Sequence, residues 1–236
     1  MRVMLMRTCL ADHVAPGVAR ATKRVLERLG VTVVVPKAQT CCGQPGWSAG
    51  HPDQARVVAR QALKAFAGTD PVVVPSGSCA AMVTHGYTDL FAGHLEEDAA
   101  NDLAGRTLEL TQFIHQNGLT PARADDAPAT VTYHDSCHML RLLCEHESPR
   151  TVIASTGVEL MEMADTDVCC GFGGAFSITF PEVSGALGEQ KARNAADTGA
   201  EELVACDLSC LMHIVGRGRR LGVPIRARHI ANLLDG

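Results

Sequence analysis

The sequence predicts an α/β protein: two tandem repeats of an open parallel sheet flanked by helices, with cysteines at the C-terminal ends of the strands. Three observations predict it. Short apolar, β-branched runs alternate with segments of helical periodicity along the chain. The pattern occurs twice at a constant offset, which carries Cys9 to Cys137, Cys41 to Cys169 and Cys42 to Cys170. The cysteines of both copies fall just past the strand-like runs, in the loops that lead into the helices.

In the first half, Val3–Met6 is a strand. Pro16–Leu29 has helical spacing and stops at Gly30, a C-terminal capping glycine. Val31–Val35 is a continuous β-branched run of the kind found in buried parallel strands. Pro52–Phe66 is a helix with Pro in its first turn and Gly68 after its end. Val72–Val74 is a third strand and Ala80–Leu90 a further helix. The second half repeats the order. Val131–Tyr133, Glu159–Met163 and Glu202–Ala205 are strands, and Pro149–Ser155, Pro181–Thr198 and Leu211–Leu221 are helices. The halves run over about residues 1–116 and 130–236. Residues 117–129 join them, with Pro121, Pro128 and the pair Asp125-Asp126 giving a linker composition. The acidic stretch Glu96-Glu97-Asp98 is a solvated loop or helix face.

The chain has 236 residues, 46% hydrophobic and 20% charged, ordinary values for a globular protein that can bury a core. Its net charge of −5 leaves no basic surplus to neutralise phosphates, so nucleic acid is not the expected partner. No apolar run approaches the roughly 20 residues that span a bilayer, and Arg7 interrupts the apolar start before it reaches the length of a secretory signal. A cytoplasmic location is the expectation.

The compositional outlier is ten cysteines. Cys9 precedes Cys41-Cys42-Gly43 by the same interval that separates Cys137 from Cys169-Cys170-Gly171. Gly46 and Gly174 stand three residues past each motif glycine, and Ser78-Cys79 answers Ser209-Cys210. A weaker echo relates Thr107–Ile114 to Ala227–Leu234. Ligands of open parallel sheets collect at the carboxyl ends of the strands. Distant cysteines of each half therefore converge there, giving Cys9, Cys41, Cys42 and Cys79 as one set and Cys137, Cys169, Cys170 and Cys210 as the other.

Four thiolates suit an iron–sulfur cluster or a tetrahedral structural zinc. Adjacent cysteines are awkward for gripping one small ion and more easily reach different irons of a larger cluster. Iron–sulfur is thus the favoured reading, with zinc and dithiol–disulfide chemistry open beside it. Dinucleotide fingerprint, phosphate loop, ferredoxin cysteine run and nucleophile elbow are all absent, which disfavours a self-sufficient dehydrogenase or hydrolase.

These motifs resemble the CCG cysteine-rich domain of heterodisulfide reductase, found also in iron–sulfur subunits of glycolate oxidase and anaerobic glycerol-3-phosphate dehydrogenase. The matching segments are Thr8–Asp12, Gln39–Pro45, Pro75–Met82, Tyr133–His138, Cys169–Gly174 and Leu208–His213. End to end, the chain is most similar to the small iron–sulfur subunits of bacterial L-lactate oxidation complexes. The resemblance implies a cytoplasmic electron-transfer subunit, working with other iron–sulfur and accessory subunits and carrying clusters of the four-iron type, one per half. Heterodisulfide reductase itself ends its motif with Cys-x-x-Cys, whereas the first half here has only Cys79, and the second has Cys206 and Cys210 with three residues between them. Cubane and non-cubane clusters both remain open, and a disulfide reductase-type subunit or a zinc-stapled interaction module are the alternative functions.

Of the remaining residues, Cys144 and Cys206 read as small buried apolar side chains. His134, His138 and His213 flank motif cysteines and are expected to hydrogen-bond around the sites rather than ligate. Asp135 is expected to cap a turn. Trp47 either covers a site or packs in the core.

Overall fold

The computed structural model describes residues 1–235. The first half contains β1 (Arg2–Leu5), α1 (Cys9–Val14), α2 (Gly17–Arg28), β2 (Thr32–Val34), α3 (Gln44–Ser48), α4 (Pro52–Ala65), β3 (Val72–Val74), α5 (Gly77–Ala81), α6 (Tyr87–Phe91), α7 (Glu97–Gly105), β4 (Thr107–Glu109) and α8 (Leu110–Gln116). A π turn, Met82–Gly86, joins α5 to α6 without a break. The second half contains β5 (Thr130–Tyr133), α9 (Cys137–Arg141), α10 (Glu147–Ser155), β6 (Glu159–Leu160), α11 (Ala175–Thr179), α12 (Pro181–Asp197), β7 (Glu202–Ala205), α13 (Leu208–Arg220), β8 (Ala227–His229) and α14 (Ile230–Leu233).

Each half forms a four-stranded, all-parallel sheet, ordered β2-β1-β3-β4 and β6-β5-β7-β8. The equivalent strands β1 and β5 lie inside their sheets, with crossovers leaving on both sides of them. The crevice that this reversal opens lies at the strand ends that carry the cysteines.

The run Val31–Val35 is not buried as its composition suggests. Its strand, β2, lies at a sheet edge with Thr32 and Val34 exposed. β-Branching reports fit to a pleated backbone, not depth. The strand expected over Glu159–Met163 is reduced to two residues, also at an edge. Strands β4 and β8 were not expected, although the echo between Thr107–Ile114 and Ala227–Leu234 marks their position. Glu96 closes a surface ion pair with Arg60 just before α7.

Strand alternation divides the core into three. Val3 and Val73 from one sheet, with Val131, Tyr133 and Val204 from the other, face a central cluster that both halves share. Met4, Val72 and Val74 face an outer cluster beneath α4 and α6, and Leu203 and Ala205 face another beneath α12 and α13. The central cluster is closed by exchange: α8 packs on α10 of the second half, and α14 packs on α2 of the first. Arg24 and Arg28 of α2 pair with Asp235 just beyond α14. Reciprocal contacts of this kind are what a pseudo-twofold axis between duplicated halves produces. Among the described residues no helix is long and apolar enough to cross a membrane.

Glu109 and His229 occupy matching places, each accepting a backbone N–H at the start of the short helix that follows. Glu109 is fully buried, and desolvation pushes its carboxyl up to about 7. Its raised folded value makes stability greatest below the unfolded value of 4.5 and costs stability as pH rises toward 7. Glu109→Gln should therefore flatten the decline in unfolding free energy between those limits, a difference on the order of 3 kcal/mol that urea titrations across that pH range would measure.

Candidate metal centre

Each lone cysteine stands in the first turn of a helix that follows an inner strand. Cys9 opens α1 behind β1, and Cys137 opens α9 behind β5. Cys79 lies in α5 behind β3, and Cys210 lies in α13 behind β7. Helix N-termini favour thiolates. The adjacent pairs sit in loops that turn at glycine. Gly43 and Gly171 have φ of 91° and 88°, and a side chain on Gly171 would meet the Ser184 carbonyl oxygen at 2.6 Å. Only glycine allows both the left-handed turn and that approach to the helix backbone.

These placements gather the first set of sulfurs. Cys9 Sγ donates to Cys41 Sγ at 3.4 Å, and Cys42 Sγ to Cys79 Sγ at 3.4 Å. In the second set, Cys169 and Cys137 sulfurs lie 3.9 Å apart. A ring nitrogen of His134 and the sulfurs of Cys170 and Cys210 lie within 4.8 Å of one another. All ten cysteines are free thiols.

Charge is distributed alike in the two sets. Cys41 is pulled down to about 2, first by the Cys42 thiol, then by Cys9 and the Gly43 N–H at 3.4 Å. Cys169 is pulled down to about 2 by Cys137, then Cys170 and the Gly171 N–H at 3.3 Å. Hydrogen bonding to those thiolates pushes Cys9, Cys42, Cys137 and Cys170 up. Cys210 is lowered to about 7, chiefly by Cys170, with a further contribution from His134. The first residue of each adjacent pair is thus the leading anionic donor, ready for a soft metal.

A cavity of about 540 Å³ opens beside Cys9, Cys41, Cys42 and Cys79. A smaller one of about 120 Å³ adjoins Cys137, Cys169, Cys170 and Cys210. The two share Gln44, Phe172 and Asp207 as lining, so both sulfur sets face one cleft between the halves. The donor chemistry and the room at the first set fit a thiolate-bound group larger than a single ion. Cys9, Cys41, Cys42 and Cys79 could hold one such group and Cys137, Cys169, Cys170 and Cys210 another.

The wall between the sets is built on Asp207, which no sequence motif marks. It stands immediately before α13, where its side chain makes no capping bond to the helix, and is fully buried. It accepts from Ser76 Oγ at 2.6 Å, Ser78 Oγ at 2.7 Å, the Ser78 N–H at 3.2 Å and Ser136 Oγ. Burial alone would raise its carboxyl; the three serines outweigh it and hold the group below the usual carboxylate range. Asp207 stands three residues before Cys210 as Ser76 stands three before Cys79, so equivalent positions of the two copies are in contact.

The flanking residues divide. His138 lies 3.6 Å from Cys137 Sγ and 2.9 Å from Gln44 Nε2, as a hydrogen-bonding neighbour of the site. His213 turns away to the Ser184 carbonyl oxygen at 3.1 Å. His134 is fully buried, and neither ring nitrogen meets a nitrogen or oxygen partner. Cys206 is fully buried. Cys144, expected inside, is instead exposed, in a left-handed turn after α9 with φ 53°. Asp135 does not cap a turn: it forms a two-pronged pair with Arg150 at 2.9 Å for each oxygen. Trp47 is half-buried against the outer core of the first half and does not line the sulfur cavities.

The cysteine-rich (CCG) domain family matches this chain twice, over residues 3–84 and 131–215. Lactate utilization protein A of Shouchella clausii is 43% identical over 241 aligned positions, covering 100% of this chain and 99% of that protein. The protein of the same name from Geobacillus thermodenitrificans is 42% identical with the same coverage. Among solved structures, a hypothetical protein from Helicobacter pylori shares the fold, with a TM-score of 0.57 at 10% identity. That match covers 98% of this chain and 47% of the other.

Replacing Asp207 with Ala would leave three serine hydroxyls and a buried N–H without their acceptor. The metal-free protein should lose about 3 kcal/mol of unfolding free energy, read by urea denaturation, with Ser48→Ala, on the outer rim, close to neutral.

Proposed function

The chain belongs to the CCG cysteine-rich domain family, and from that premise we propose that it is the iron–sulfur electron-transfer subunit of a bacterial L-lactate oxidation (lactate utilization) complex. The observation that carries this reading is the convergence of eight cysteines, from six separate segments, into two sets that open on one cleft. The full-length similarity to lactate utilization protein A supplies the system.

In this reading Cys9, Cys41, Cys42 and Cys79 hold one cluster, and Cys137, Cys169, Cys170 and Cys210 hold the other. When bound, such clusters supply reversible one-electron storage. The chain's own residues do the rest. The Gly43 and Gly171 N–H groups point at the Cys41 and Cys169 sulfurs and stabilise their negative charge. His138 adds a polar contact at Cys137. Phe172 and Pro45 give the cleft an apolar lining, and the Asp207–serine network ties the strand ends that carry the two sets. The shared lining places the sets side by side, which suits relay between them. The protein works as an oxidoreductase subunit with other iron–sulfur and accessory subunits, and the chemistry on lactate takes place elsewhere in the complex.

Anoxically purified protein should contain iron and sulfide in equal amounts, absorb broadly in the visible and give a paramagnetic signal after dithionite. Cys41→Ser should remove about half of the iron, as loss of one of two four-iron groups requires. Stoichiometric zinc without sulfide would overturn the assignment.

A further inference from the structure

A buried position beside a sulfur set carries chemically different side chains in the two duplicated halves. His134 follows the last residue of β5, and its N–H bonds to the Val204 carbonyl oxygen of β7 at 2.9 Å. Its counterpart, at the offset that relates Cys137 to Cys9, is Met6, whose N–H bonds to the Val73 carbonyl oxygen of β3 at 2.9 Å. The backbones are thus superimposable and the side chains are not. Met6 is an apolar member of the outer core that contains Cys42 and Cys79. His134 presents an imidazole at the same depth.

That imidazole is 0% exposed, neither nitrogen meets a nitrogen or oxygen partner, and its polar contact is with the Cys210 sulfur, which it helps to lower. A buried ring nitrogen left without a partner is costly. Its nearby donors are the sulfurs of Cys170 and Cys210, with one ring nitrogen and both sulfurs inside a span of 4.8 Å. A nitrogen and two cysteine sulfurs this close have the spacing of one face of a metal's coordination shell, and imidazole binds the same borderline metals that thiolates bind.

We infer that the two centres are chemically unequal: His134 ligates metal at the second one together with Cys170 and Cys210, whereas the first is held by sulfur alone. Where Met6 fills space, His134 replaces a stranded polar group with a bonded one. With Cys137, Cys169, Cys170 and Cys210 at the same centre, the imidazole is an additional neutral donor, so the two metal groups differ in ligand set and therefore in reduction potential. The inference rests on the iron–sulfur reading, and the experiment separates the two.

Protein labelled with ¹⁵N-histidine would be purified without oxygen, reduced with dithionite and examined by pulsed electron paramagnetic resonance, alongside iron and sulfide assays. The expected result is a strongly coupled histidine nitrogen in the labelled wild type. That coupling disappears in His134→Gln and persists in His138→Gln, and in His134→Gln the potential of one centre shifts while that of the other holds. Full iron and sulfide with only weakly coupled histidine nitrogen in the wild type would overturn the inference while leaving the iron–sulfur assignment intact; this measurement needs no variant to fold. A strong coupling that survives His134→Gln would overturn it as well. Absence of iron and sulfide would overturn the iron–sulfur assignment and His134 ligation with it.

Discussion

A carboxylate buried away from water is unfavourable unless several donors converge on it, and at Asp207 they come from two strand ends to meet an acid carried by a third. Ser76 and Ser78 arrive from the first sheet, Ser136 from β5, and the acid itself from β7. Because the hydrogen bonds that favour the charge come from both sheets, they tie the two sheets together at this point. The sulfur sets are attached to those strand ends within a few residues: Cys79 follows Ser78, Cys137 follows Ser136, and Cys210 lies three past Asp207. The polar knot thus acts as the common reference from which both sets are positioned, in a cleft that apolar packing alone would leave free to slide.

The shared core and the polar knot divide the labour. Exchange of α8 and α14 between the halves gives non-directional burial, which sets which faces meet. The hydrogen bonds to Asp207 are directional and set how the faces meet. Glu109 and His229, each at the start of an exchanged helix, repeat the theme with opposite preferences: burial disfavours the charged form of both, so the carboxyl is raised and the imidazole lowered.

Much of this architecture is legible in the chain before folding. Repeat spacing locates the eight cysteines and the two sheets, because covalent offsets survive whatever the tertiary structure does. Val72–Val74 and Glu202–Ala205 are recognisable since central parallel strands are apolar on both faces. Strands β4 and β8 are hidden: Thr107–Glu109 and Ala227–His229 carry polar residues whose burial depends on partners far along the chain. Asp207 is hidden for the same reason, since its nearest serine partner in sequence, Ser136, belongs to a different strand end on the far side of α10 and α12. Aligning the halves is the one signal that could have found it, as an acid standing where the first copy has Ser76. Cys144 shows the converse error, a thiol assumed to be buried by type that a left-handed turn delivers to the surface.

The loop after each adjacent pair reaches across the cleft. Gln44, from the first copy, borders the cavity of the second set, and Phe172, at the equivalent place in the second copy, borders the cavity of the first. Each duplicate therefore roofs its sibling, one with an amide and the other with an aromatic ring. Once a tandem gene had acquired that reciprocity, neither copy could be deleted, reshuffled or refined in isolation. Substitutions in one would be selected for what they do to the other, which ties two ancestral equals into a single inherited unit with two dissimilar chambers.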